Sequence, residues 1–98
     1  MTTEIKKHID KLGFKCTDKV TGFSGVITTV GFDLYGCVQA LVNPGVNENG
    51  KPYDLVWFDI ARLKITNKKP VMEIPNFDCG DIAKGLKGPS DKPSNGKS

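Results

Sequence analysis

The sequence predicts a mainly β fold: five short strands closed into a small barrel, with a short N-terminal helix ahead of it and a flexible C-terminal tail behind. Three observations carry that expectation. From Phe14 onward, short β-branched and aromatic runs alternate with glycine-rich breaks, as in small all-β domains. Only residues 59–62 separate the last two runs; four residues with an Ala and no Gly suit a single 3₁₀ turn better than a flat hairpin. The chain has 98 residues, enough for one domain with a modest core but too few for a doubly wound sheet or an eight-stranded α/β barrel.

Residues 1–13 place Ile5, Ile9 and Leu12 on one helical stripe, with Thr2 or Thr3 as a cap, Glu4 in the first turn, Lys11 in the last and Gly13 just beyond. About three turns of helix are marginal alone, so the stripe must dock on the rest; Lys7 and His8 would then point away from it. The first strand is expected over 15–20 and the second over 25–32, with Gly22 and Gly25 supplying the tight or left-handed geometry of the turn between them. Residues 33–36 turn the chain into a third strand, 37–42, in which Gln39 is the only polar side chain; both faces of that strand should therefore be largely covered. A breaker-rich loop, 43–52, leads to a fourth strand at 55–58 and a fifth at 63–66. Five strands joined this way form an SH3-like barrel, and closure would remove the edges that an open sheet of this hydrophobicity exposes.

The domain organisation expected is a helix at 1–13, the barrel at 14–66, and at 67–98 a linker with a short helical turn over 77–86 and a basic tail. The last twelve residues have no apolar side chain and can bury nothing to offset chain entropy. The net charge of +3 is mild, and it resides in the flanks: 14–66 holds five cations against five carboxylates. On that average, charge says little about what the barrel recognises. No apolar run approaches the roughly 20 residues of a membrane span, and the charged N-terminus does not resemble an export signal, so an intracellular site is expected. Cys16, Cys37 and Cys79 fit neither a disulfide framework nor paired metal knuckles, and reduced thiols follow.

Residues 14–66 resemble the small SH3-like (KOW-like) β-barrels, whose opening strand pair carries Val-x-Gly-x-x-Gly-x-[Val/Ile], here Val20 to Ile27. More narrowly, the chain is similar to short proteins of unassigned function encoded by tailed bacteriophages and prophages. The shared motifs are T-G-F-x-G at 21–25, G-C-V-Q-x-x-V-x-P at 36–44, W-F-D-x-x-x-L at 57–63, and Gly88-Pro89. They cover about half of the chain, and each is weak alone. The resemblance implies a phage setting, in the cytoplasm of an infected bacterium or in the virion, and a fold; it carries no reaction.

No catalytic constellation stands out. The single histidine, His8, lies in the helix region, and a dyad with Cys16 or Cys37 has little to support it, since a strand cysteine such as Cys37 is usually a small buried apolar group. Asp33, Asp54 and Asp59 fall at strand ends, where carboxylates commonly cap turns. No spacing asks for a metal or a cofactor. Gly22-Phe-Ser-Gly25 has the letters of a nucleotide-clamping G-x-x-G loop, but that loop joins helices and this one joins strands. Aromatic side chains at turns are the sharper signal. Phe23 either folds onto the barrel mouth or meets a partner, and Tyr35 in the 32–35 turn offers area with a polar handle. Trp57 and Phe58 alternate across the sheet, so one is core; with Phe58 inside, Trp57 and Asp59 form an outer platform able to stack on a base, a proline or an arginine. Arg62 would border that platform, or pair with Asp59 three residues away.

Phe23, Tyr35, Gln39, Trp57, Asp59 and Arg62 are thus the candidate binding residues of a non-enzymatic module whose favoured partner is a protein. Two rivals remain at the level of sequence. One is a KOW-type nucleic-acid binder. The other is an oligomeric sponge for a host nucleotide signal, whose pocket would form between subunits because so small a barrel is filled by its own side chains.

Overall fold

The computed structural model describes residues 3–77. Helix α1 (Thr3–Ile9) is followed by five strands, β1 (Lys15–Asp18), β2 (Ser24–Phe32), β3 (Val38–Asn43), β4 (Val56–Asp59) and β5 (Leu63–Ile65), with a 3₁₀ turn, η1 (Ile60–Arg62), between the last two. All neighbours pair antiparallel in one sheet of order β4-β3-β2-β1-β5. The nine-residue β2 is its spine: residues 24–26 pair with β1, and residues 26–32 pair with β3, with a register shift between Ile27 and Thr29. Such an irregularity bends a strand, which lets one long strand serve two differently inclined partners. β4 and β5 end the hydrogen-bonded ladder and are joined through η1.

Strand alternation sorts the side chains. Cys16, Ile27, Ala40, Val42, Phe58, Ile60 and Leu63 are buried as one cluster, flanked by Leu12, Phe23, Val30, Val38, Val56 and Ile65. The fully buried Ile27 and Val42 sit opposite each other across β2 and β3, and each such side chain contributes about 1.5–3 kcal/mol of transfer free energy. Gly25, opposite Cys16, is needed for proximity and not for a left-handed turn. A Cβ there would collide with the Asn43 carbonyl and lie 2.8 Å from Val42 Cγ1, whereas Gly22 is the glycine with positive φ, +81°.

The helix is shorter than the 13-residue segment expected. Its stripe docks mainly through Leu12, after the helix has ended, while Ile5 is exposed. His8 does not point away: it is half-buried and meets Phe32 edge-on, with ring centroids 6.3 Å apart. The chain after β5 stays on the domain. Asn67 Oδ1 accepts from the Lys15 N–H at 3.0 Å, and the Val71 N–H donates to the Gly13 carbonyl at 2.8 Å. A Cβ at Gly13 would stand 2.5 Å from the Met72 carbonyl oxygen, so the folded unit extends past the 14–66 span. Most of the expected helical turn over 77–86, and the whole basic tail, lie outside the described residues.

Candidate functional site

Trp57 and Phe58 are sorted cleanly. Phe58 is 7% exposed and belongs to the core, and Trp57 is 48% exposed on the opposite, outer face. Strand register then builds that face. Trp57 pairs with Leu41, Asp59 pairs with Gln39, and Gln39 pairs on its other side with Gly31. A Cβ added at Gly31 would lie 3.5 and 3.6 Å from Trp57 Cζ3 and Cη2, so the indole leans diagonally across β3 and rests over the bare backbone of β2. A glycine inside a strand often marks such a close approach. Gln39 is exposed, contrary to the expectation that both faces of β3 are covered: among the described residues no second layer lies on this side, and the Trp57 indole partly covers the sheet at Gly31.

The β2–β3 hairpin adjoins this face just past the Gly31–Gln39 pair. Asp33 Oδ1 accepts from the Tyr35 N–H at 2.9 Å and from the Cys37 N–H at 2.8 Å, and Gly36 takes a left-handed φ of +92°. The Asp33 carboxylate thus reinforces a turn that backbone bonds also close, from the Asp33 N–H to the Cys37 carbonyl at 3.0 Å and from the Gly36 N–H to the Asp33 carbonyl at 3.2 Å. Leu34 and Tyr35 are left 91% and 88% exposed on a hydrogen-bonded loop, with no contact in the core to account for them.

Phe23 and Arg62 go elsewhere. Phe23 folds back onto Phe58, with ring centroids 5.3 Å apart, and Arg62 lies over the same Phe58 ring at 5.2 Å. Arg62 does not pair with Asp59. It donates from Nε at 2.8 Å and from Nη2 at 2.6 Å to the carboxylate of Asp18, which is fully buried, while Asp59 caps η1 by accepting from the Ala61 N–H at 3.0 Å. The fork of a guanidinium matches a carboxylate bidentately, a geometry that Asp59, occupied with its own turn, does not offer. Thr21 adds its N–H and hydroxyl to Asp18. The Arg62 guanidinium above all holds the Asp18 carboxyl well below the usual carboxylate range, against the opposing effect of burial, and Thr21 assists. Asp18 was not among the candidates from sequence, and its partner lies 44 residues away.

Of the six candidate binding residues, therefore, Gln39, Trp57 and Asp59 share the outer face, Tyr35 stands at its hairpin, and Phe23 and Arg62 build the interior around Asp18. Cys37 is exposed and not buried, because it precedes β3 at the hairpin. The Asp33 carboxylate above all, with some loss of hydration and then Asp59, pushes its thiol pKa up; burial and Asp18 do the same for Cys16. Neither thiol has the depressed pKa of an activated nucleophile. Among the described residues no group of three His, Cys, Asp or Glu side chains is placed to hold a metal ion, and no helix is long and apolar enough to cross a membrane. Set against family models, curated proteins and solved structures, the chain matches none.

Proposed function

We propose that the protein is a non-enzymatic binding module that engages a protein partner through the outer face of β2-β3-β4, in the phage setting that its sequence motifs imply. The carrying observation is the half-exposed indole of Trp57 held over Gly31, beside a hairpin that presents Leu34 and Tyr35 to solvent. Tyr and Trp are the residues that anchor protein interfaces, since each offers a large rigid surface with a polar tip. The acidic groups nearby, Asp33 at the hairpin and Asp59 beside Gln39, make this face a poor match for a phosphate backbone. They suit a partner segment that stacks an arginine or a proline on the indole. An SH3-like small barrel is the finer description of the fold that we favour. The order β4-β3-β2-β1-β5, with a 3₁₀ turn between β4 and β5, supports it.

The test uses the full chain as bait in infected cells, with mass spectrometry naming the captured protein and purified components giving its affinity. Tyr35→Ala combined with Trp57→Ala is expected to weaken that affinity at least 100-fold with the circular dichroism spectrum unchanged. Undiminished affinity in the double variant would overturn the assignment. Phe23→Ala does not belong in this experiment, because Phe23 supports Phe58 and its loss would disturb the core.

A further inference from the structure

The charge balance of residues 14–66 conceals a separation in space. Residues 15–26 and 62–69, which form β1, the start of β2, β5 and the chain just beyond, carry six cations: Lys15, Lys19, Arg62, Lys64, Lys68 and Lys69. Their one carboxylate is Asp18, buried and neutralised by Arg62. Residues 27–61, spanning the rest of β2 with β3 and β4, carry Lys51 alone against Asp33, Glu48, Asp54 and Asp59. The two halves of one sheet are thus oppositely charged.

The lysines are also aligned. Cys16, Asp18 and Leu63 point into the core, so Lys15 and Thr17 on β1 and Lys64 on β5, directly opposite Thr17, face outward together. Residues two apart on a strand are about 7 Å apart. Lys19 continues the row at one end, where its backbone N–H bonds the Arg62 carbonyl and its Nζ reaches the Ala61 carbonyl. Lys68 and Lys69 continue it at the other, next to the Asn67–Lys15 hydrogen bond. The ion pairs among the described residues are Lys6–Asp10, Lys7–Glu4 and Arg62–Asp18, so none of these five lysines is paired with a described carboxylate. Beside the row runs a groove of about 360 Å³ lined by Lys15, Thr17, Ser24, Asn43 and Thr66 among others, with no carboxylate. The Thr17 and Ser24 hydroxyls are bonded to each other at 2.9 Å, which leaves the Thr66 hydroxyl and the Asn43 amide nitrogen to donate to anionic oxygens.

We infer that this β1–β5 face binds the phosphodiester backbone of nucleic acid independently of base sequence. A linear row of lysines with hydroxyl and amide donors is what phosphate tracking needs. No exposed aromatic residue stands on β1 or β5 to stack bases, and the exposed apolar side chain beside the row, Val20, lies past Lys19 at its end and not among the lysines of the strands. The face is distinct from the Trp57 face, so the two assignments stand or fall separately.

Fluorescence anisotropy of the full chain with labelled 20-base-pair duplex DNA, duplex RNA of the same length and a 20-residue single strand tests this. Four backbone contacts predict a slope of log K on log salt of about −3.6 for duplex DNA, or about a 150-fold loss of affinity between 50 and 200 mM salt. Lys15→Gln with Lys64→Gln should reduce the slope by about 2 and weaken binding at 50 mM salt, whereas Lys51→Gln, outside the row, should not. The DNA and RNA arms tell which backbone is preferred. Absence of binding to all three probes at 50 mM salt would overturn the inference. So would a double variant that binds like the parent while glutamine at Lys84, Lys87, Lys92 and Lys97 abolishes binding, since the C-terminal lysines would then be responsible.

Discussion

Replacing Gly31 by Val tests the outer face without any partner. Gly31 has no positive φ, so a side chain meets no backbone penalty there. An alanine Cβ would be in ordinary contact with the Trp57 ring at 3.5 Å, but the two further methyl groups of valine enter the space that the ring occupies and must lift it. An indole offers up to about 250 Å², of which about half is covered here, so burial contributes at most about 3 kcal/mol at 25 cal/mol per Å². Lifting one end of the ring forfeits about half of that upper bound, about 1.5 kcal/mol, and the gain of Val over Gly in a strand returns about 1 kcal/mol. Stability will therefore barely move, and the sensitive readout is the emission of the single tryptophan. Gly31→Val should red-shift that emission and raise its acrylamide quenching constant, with Gly31→Ala unchanged. Emission and quenching in Gly31→Val identical to the parent would refute the placement of the indole over β2.

Phe58→Ala should cost about 3–5 kcal/mol in urea unfolding, because it opens a core cavity and removes the ring on which Phe23 and Arg62 rest. Gly25→Ala should cost about 1–3 kcal/mol in the same assay, since its Cβ would stand 2.7 Å from the Asn43 carbonyl carbon and β3 would have to shift. The Asp18 carboxyl, lowered by Arg62, contributes stability that is fully present above the ordinary aspartate pKa of about 3.9 and is lost as pH falls from there towards the lowered native value. Asp18→Asn should lower the urea midpoint at pH 7 and flatten its decline below pH 4; an unchanged acid limb would mean that other carboxylates govern it.

Much of the fold was legible because its signals are local. Alternation marked all five strands to within one or two residues, and the short 59–62 spacing announced η1. What escaped depends on partners distant in sequence. Alternation says that Trp57 and Phe58 face opposite ways but not which way is in; the clue was Gly31, bare beneath the indole and two strands away. The bidentate Asp18–Arg62 pair spans 44 residues, so the nearer Asp59 looked like the natural partner of Arg62. Equal numbers of cations and carboxylates in 14–66 looked like an uninformative surface. Only the pairing of β1 with β5 brings Lys15 and Lys64 to one face and leaves Asp33 and Asp59 on another part of the sheet.

The outer face of β2-β3-β4 is the central claim, and amide and indole NMR resonances of the labelled protein, titrated with the partner captured from infected cells, test it most directly. The account predicts that the Trp57 indole N–H and the amides of Gly31, Tyr35, Gln39 and Asp59 shift, while those of Thr17 and Lys64 stay in place. Shifts confined to β1 and β5, with the Trp57 indole N–H unmoved at saturation, would contradict it.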